Sequence, residues 1–238
     1  MPVKVAIVDS GIGPGLEGTV GARVALRLAE DGQVLCSAGD ATDALGHGTA
    51  VARLVLAQAP RCSLLSAQVF HAARPTAARV IAAAIEWCVA EGARVINLSL
   101  GLRDDRSELR ESCLAAISQG VLLVASQPAR GAARCSTNYP AIYPSIYPAI
   151  YPGVLAVNGD IRCGEGDCSS MGHALSFGAS PLPPDGFSGG GASYAAARMA
   201  GRAGAFFETY PAATAADFKN NLLAIARFHG RERRRAVA

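Results

Sequence analysis

The feature that most constrains this chain is a recurring alternation of short apolar runs of strand length with segments at helical spacing, separated by glycine or polar breaks. Residues 3–8 form the first apolar run and end at Asp9-Ser10-Gly11, which reads as a buried strand delivering a carboxylate at its carboxyl end. Beyond Gly48, Val51, Leu54 and Val55 follow helical spacing, and residues 63–70 read as the next strand. Thr76 is placed to cap a helix whose Val80, Ile81, Ala84, Ile85, Cys88 and Val89 share one face, with Gly92 as its stop. A strand over 95–100 follows, then a helix carrying Leu109, Cys113, Ala116 and Ile117, a stop at Gly120, and a strand over 121–125. This βαβ punctuation calls for a parallel sheet with helices on both faces.

The stretch 127–191 is different, rich in Gly, Pro, Ser and Tyr, with one clear strand at 154–157, and is expected to be mostly loop. It contains four consecutive tetrads that begin at Tyr139, Tyr143, Tyr147 and Tyr151, each with proline second. Proline at every fourth residue forbids a helix or a central strand, so an extended or turn-rich surface segment is expected. Such a segment reads either as a recognition loop or as a tolerated expansion of a short repeat. A helix is expected from about Ser193 and a last amphipathic one over 214–228, which makes 1–228 one domain and 229–238 a basic tail.

Of the 238 residues, half are hydrophobic and 17% charged, a balance that can bury a sizeable core and excludes a largely disordered chain. Apolar runs such as 121–125 are far shorter than the roughly 18 residues a membrane span needs, so no membrane partner is expected. The formal charge of +3 implies no general polyanion partner, and no nucleic acid is expected. The first residues lack the pattern of a secretory signal, and the seven cysteines include no Cys-x-x-Cys pair; both suit a reducing, cytoplasmic location. Cys163 and Cys168 lack the further ligands a metal site requires, and neither a metal nor a cofactor is expected.

Three segments carry a chemical constellation: 5–11 around Asp9, 43–49 around His47, and 188–196 around Ser193. A serine hydroxyl attacks a carbonyl only if a base takes its proton, and a histidine does so well when a carboxylate holds its tautomer. Flanking glycines leave backbone room for a substrate, and a serine at a helix N-terminus aims an N–H and the helix dipole at a developing oxyanion. Taken singly, Asp9 reads as a turn residue and Ser193 as a helix cap. Together, in this order, they read as a catalytic set. The glycines after the first strand also suggest a dinucleotide loop, but Gly11-Ile12-Gly13-Pro14-Gly15-Leu16 lacks the final glycine of that fingerprint.

These segments resemble the three signature motifs of the subtilisin-like serine proteases, in that family's chain order. Residues 95–101 resemble the family's substrate-binding strand, 147–157 the segment after its oxyanion region, and 213–227 its closing helix. On this resemblance the first two Tyr-Pro tetrads are an insertion. The resemblance implies a three-layer α/β fold with a mostly parallel sheet and helices on both faces. It implies a serine endopeptidase acting on peptide or protein substrates, with Asp9, His47 and Ser193 as triad. The substrate strand and side-chain pocket then fall on Ser99, Leu100, Gly101, Ala125 and Ser126, none of them charged.

The departures from the family are as informative. Residues 121–127 place Gln127 where the family carries its oxyanion asparagine, and Ala192 where it carries a threonine hydroxyl. Gln127 keeps the amide on a side chain one methylene longer. Slow or selective cleavage, such as processing of a dedicated substrate, is the expectation, and a catalytically impaired peptide-binding scaffold is the alternative.

Overall fold

The computed structural model describes residues 1–38, 42–71, 76–127, 147–172 and 176–230. In chain order these form β1 (Lys4–Asp9), β2 (Val20–Leu28), β3 (Val34–Ala38), α1 (His47–Gln58), β4 (Ser63–Gln68), α2 (Ala78–Ala90), β5 (Val95–Leu98) and α3 (Ser107–Ser118). There follow β6 (Leu122–Ser126), β7 (Leu155–Gly159), β8 (Ser169–Ser170), β9 (Ser176–Ala179), α4 (Ala192–Thr209), α5 (Ala215–Ile225) and β10 (Phe228–His229). The strands make one sheet in the order β10-β8-β9-β7-β6-β5-β1-β4-β2-β3. Its ladders are parallel except for the antiparallel pairs β2/β3 and β8/β9.

β1 lies inside the sheet, paired with β4 on one side and β5 on the other. Helices cover both faces, which is why Val5, Ala6, Ile7 and Val8 form an unbroken apolar run with none more than 1% exposed. The strand period then sorts side chains into two layers. Val5, Ile7, Leu122 and Val124 pack with α1, α4 and Phe218 of α5, whereas Ala6, Val8, Leu123 and Ala125 pack with α2 and α3. Gly92 and Gly120, both at positive φ, follow α2 and α3 as the predicted stops. Among the described residues no helix is long and apolar enough to cross a membrane.

Several expectations need correction. The hairpin β2/β3 had no counterpart in the sequence reading, because an edge hairpin is half exposed and its strands mix polar with apolar residues. Within 127–191, β9 joins the sheet beside β7; its Ser-Phe-Gly-Ala composition hides a strand whose Phe177 and Ala179 are buried. Ala77, not Thr76, is the N-cap of α2, and no side chain caps it. Thr214 does cap α5 in a reciprocal box with Asp217, but that helix ends at Ile225 because Phe228 and His229 pair with β8. The expected boundary after residue 228 therefore cuts through β10, and Gly230 N–H donates to Ser170 O. The first two Tyr-Pro tetrads and the basic run 231–235 lie outside the described residues. Tyr147 of the third tetrad makes a two-bond antiparallel bridge with Leu102.

α4 packs directly on α1, and Gly201 sets how closely. A Cβ at Gly201 would stand 2.5 Å from the Val55 carbonyl oxygen and 2.9 Å from Gln58 Cβ. Gly201→Ala is expected to destabilise by about 1–3 kcal/mol through overpacking. Gly18→Ala, where a Cβ meets nothing within 4 Å, should stay within about 0.5 kcal/mol of the parent in denaturant titrations.

Candidate active site

The candidate residues collect at the carboxyl ends of the parallel strands, where open α/β sheets place their clefts. Asp9 is the last residue of β1 and 1% exposed. Its Oδ1 lies 2.8 Å from Nδ1 of His47, the first residue of α1, and accepts from Ser10 N–H at 2.7 Å. A carboxylate at Nδ1 holds the proton of the neutral imidazole on that nitrogen, which leaves the lone pair on Nε2. Asp9 Oδ2 is buried with no hydrogen-bond donor among the described residues.

The glycines around His47 have steric reasons. A Cβ on Gly48 would overlap the backbone carbonyl oxygen of Gly11, so the start of α1 and the turn after β1 touch backbone to backbone. Gly46, the N-cap of α1, sits at φ 75. A second carboxylate holds this junction. Asp43 Oδ1 accepts from Ser10 Oγ (2.8 Å) and Gly46 N–H (2.8 Å), and its Oδ2 from Thr49 N–H (2.7 Å) and Thr49 Oγ1 (2.6 Å). Gly48 N–H donates to Ser10 Oγ at 2.9 Å, while Gln68 Nε2 at the end of β4 donates to the carbonyls of Ser10 and Thr42, each at 2.9 Å. Gly13 N–H is taken by Thr49 Oγ1 and Gly15 N–H by the Glu17 carboxylate, so the glycine loop's amides serve the fold rather than a phosphate.

Ser193 is the second residue of α4, after Gly191 at φ 152. Among the described residues its hydroxyl donates to the Ser99 carbonyl at 3.4 Å, while Ser99 Oγ donates to the Ser193 carbonyl at 3.1 Å and accepts from Asn97 Nδ2 at 2.8 Å. The next residue, Tyr194, stacks on His47 with ring centroids 5.8 Å apart and planes 21° apart. α4 thus lays an aromatic wall on the imidazole through the residue that follows Ser193, while the Ser193 hydroxyl itself is directed to the Ser99 carbonyl. Ser99, which the sequence puts on the expected substrate strand, contacts Ser193. Leu100 and Ala125 turn into the core beside α2 and α3, Gly101 is half-buried, and Ser126 is buried at the end of β6.

Gln127 follows β6, and its N–H donates to Val157 O at 2.8 Å. Its side-chain Oε1 accepts from Asn158 Nδ2 of β7 at 3.3 Å, and the same Nδ2 reaches Ser176 Oγ of β9 at 3.1 Å. Asp43, Ser10, Gln68, Tyr194 and Asn158 all escaped the sequence reading. Ser10, Asp43 and Tyr194 stand inside the three motif segments, so adjacency was the available signal; Gln68 and Asn158 sit on strands with no motif to mark them. Cys163 and Cys168 are both buried, and among the described residues no group of three or more His, Cys, Asp or Glu side chains is arranged to hold a metal.

Residues 2–236 match the peptidase S8 profile, the subtilase family. The chain belongs to the subtilase family. It is therefore grouped with the subtilisin-like serine proteases. Subtilisin DY of Bacillus licheniformis is 28% identical over 243 residues, which span 94% of this chain and 83% of that protein. The subtilisin-like protease het-Q2 of Podospora anserina is 38% identical over 99 residues, 37% of this chain but only 27% of that longer protein. The solved prenylagaramide maturation protease PagA shares the fold with a TM-score of 0.63 and 24% identity, over 93% of this chain and 82% of that one. The expected three-layer α/β architecture is the one observed.

The electrostatics of His47 follow from its surroundings. Burial works against the imidazolium, but the charge of Asp9, its hydrogen bond and the charge of Asp43 together outweigh burial, so the His47 pKa stands above the ordinary histidine value. Burial, with the Asp9 charge added, raises the Tyr194 phenol and keeps it neutral. NMR titration should therefore show His47 deprotonating above about 6.5. Asp43→Asn removes one anion and is expected to move that midpoint to lower pH; an unmoved midpoint in a folded variant would contradict this account.

Proposed function

We propose that this subtilase is a serine endopeptidase that cuts peptide bonds through a Ser193 acyl-enzyme. The Asp9–His47 contact of 2.8 Å, held beside the helix start that carries Ser193, is the observation on which this reading rests. Ser193 Oγ attacks the scissile carbonyl carbon while His47 Nε2 takes the hydroxyl proton. The tetrahedral intermediate collapses as the imidazolium returns that proton to the departing amine, leaving the acyl group on Ser193. Water then attacks the ester by the same relay, releasing the acid and restoring the serine. Asp9 orients the imidazole and stabilises its cationic form. The Ser193 N–H at the start of α4, with the Gln127 amide, receives the oxyanion.

The substrate lies extended along Ser99–Gly101, pairing backbone to backbone. Of the expected pocket residues, Leu100 and Ala125 pack in the core; Gly101 and Ser126, at the strand ends, carry no charge, which favours uncharged, apolar side chains before the cut. We place the enzyme in the cytoplasm as a selective processing protease for a dedicated substrate. In support, the six cysteines among the described residues are all free thiols, and Cys62, Cys88 and Cys113 are buried. PagA, named a maturation protease, is an example of a processing enzyme of like fold.

A fluorophosphonate probe is expected to label the folded protein at Ser193, to lose labelling in Ser193→Ala and to label His47→Ala far more slowly. No adduct on folded protein would overturn the acyl-enzyme and leave the impaired-scaffold reading in its place. A peptide library is expected to show cleavage after apolar residues; dominant cleavage after Lys, Arg, Asp or Glu would refute the pocket assignment.

A further inference from the structure

Gln127 stands where the family carries asparagine, and a longer amide has more ways to point. What limits them is the neighbouring strand. Asn158 Nδ2 has two hydrogens, one directed to Gln127 Oε1 at 3.3 Å and the other to Ser176 Oγ at 3.1 Å. Asn158 and Ser176 sit on β7 and β9, which pair with each other, so the anchor of this chain is sheet rather than loop. The oxygen and nitrogen of one carboxamide diverge from a common carbon. With Oε1 held by Asn158 of β7, Nε2 is turned off that contact; the strand on the other side of β6 is β5, which leads to the Ser99–Ser193 contact. Among the described residues Nε2 has no acceptor, so its hydrogens remain available to a ligand.

We propose that Asn158 is a positioning residue which, backed by Ser176, holds the Gln127 carboxamide with its Nε2 donor facing the oxyanion site. This rests on the Ser193 acyl-enzyme reading above. The device answers the extra methylene. A glutamine left to rotate presents its oxygen as readily as its nitrogen, and an oxygen facing a developing negative charge repels it. Asn158 removes that choice by occupying the oxygen. Its effect is confined to the transition state, because only there does the carbonyl oxygen carry the charge the amide receives.

The experiment uses the whole chain, with hydrolysis of p-nitrophenyl acetate and the rate of fluorophosphonate labelling as readouts, and thermal melts to confirm folding. Gln127→Ala and Asn158→Ala are each expected to lower kcat about tenfold with KM within twofold, the pattern of a lost transition-state contact. In the double variant the losses should not multiply, because Asn158 acts only through Gln127. Asn158→Asp is expected to fall at least as far as Asn158→Ala, since a carboxylate draws Nε2 to itself and swings Oε1 into the site. Ser176→Ala, the milder change, should give a smaller loss that disappears in the Gln127→Ala background, and it serves if Asn158→Ala does not fold. Losses that multiply in the double variant, or an Asn158→Asp enzyme as fast as wild type, would overturn the proposal. So would a Gln127→Ala enzyme that keeps its kcat. Each of these leaves Ser193 labelling intact; if wild type shows no labelling, the acyl-enzyme reading itself has failed.

Discussion

The chemistry proposed for this chain hangs on keeping Asp9 and His47 within one hydrogen bond although 38 residues separate them. Nothing local brings them together. The contact exists because the first turn of α1 presses its backbone onto the turn after β1, where Gly48 meets Gly11 with no room for a side chain. Around that point Ser10 binds both carboxylates, at 3.2 Å from Asp9 Oδ1 and 2.8 Å from Asp43 Oδ1, and Asp43 in turn caps the backbone of Gly46 and Thr49. Gln68 ties the two loops from beneath. The junction is over-determined by hydrogen bonds whose partners are mostly buried, which is the condition for a side-chain geometry to be held to a few tenths of an ångström.

The parallel sheet supplies the rest. Every strand of the β4, β1, β5, β6 and β7 series runs the same way, so their carboxyl ends lie along one rim. Asp9, Gln68, Ser99, Gln127 and Asn158 occupy that rim because each stands within one residue of the end of its strand. The N-terminus of α4 meets the same rim, stitched to it by the reciprocal pair of hydrogen bonds between Ser99 and Ser193. A helix N-terminus carries unsatisfied N–H groups and a positive partial charge. In the proposed mechanism this is the field that the anion created by Ser193 attack would meet.

The two sides of the site differ in how they treat the family pattern. On the Asp9–His47 side the motifs are kept, and the addition is Tyr194, whose ring lies over the imidazole. On the oxyanion side the threonine hydroxyl is gone at Ala192 and the amide at Gln127 is longer. There the Gln127 side chain is bonded to Asn158 and through it to Ser176, a contact across three strands that belongs to the sheet rather than to any motif.

Much of this was legible in the sequence. The βαβ rhythm of 3–125, the helix stops at Gly92 and Gly120, and the three motifs around Asp9, His47 and Ser193 are local patterns: apolar period, positive-φ glycine and short-range spacing are properties of neighbouring residues. What stayed hidden is non-local. β2, β3 and β9 are strands because of what pairs with them, since their own compositions are mixed, and Thr76 lost its capping place to a helix that begins two residues later. Gln68 and Asn158 are ordinary polar residues in the chain, and became parts of the site only when the sheet set them beside Ser10 and Gln127. The sequence by itself determined which groups are candidates for the chemistry and on which kinds of element they ride. The tertiary structure alone decided which polar side chains hold them, because hydrogen bonds between strands distant in sequence depend on sheet order and register, and no pattern along the chain encodes either.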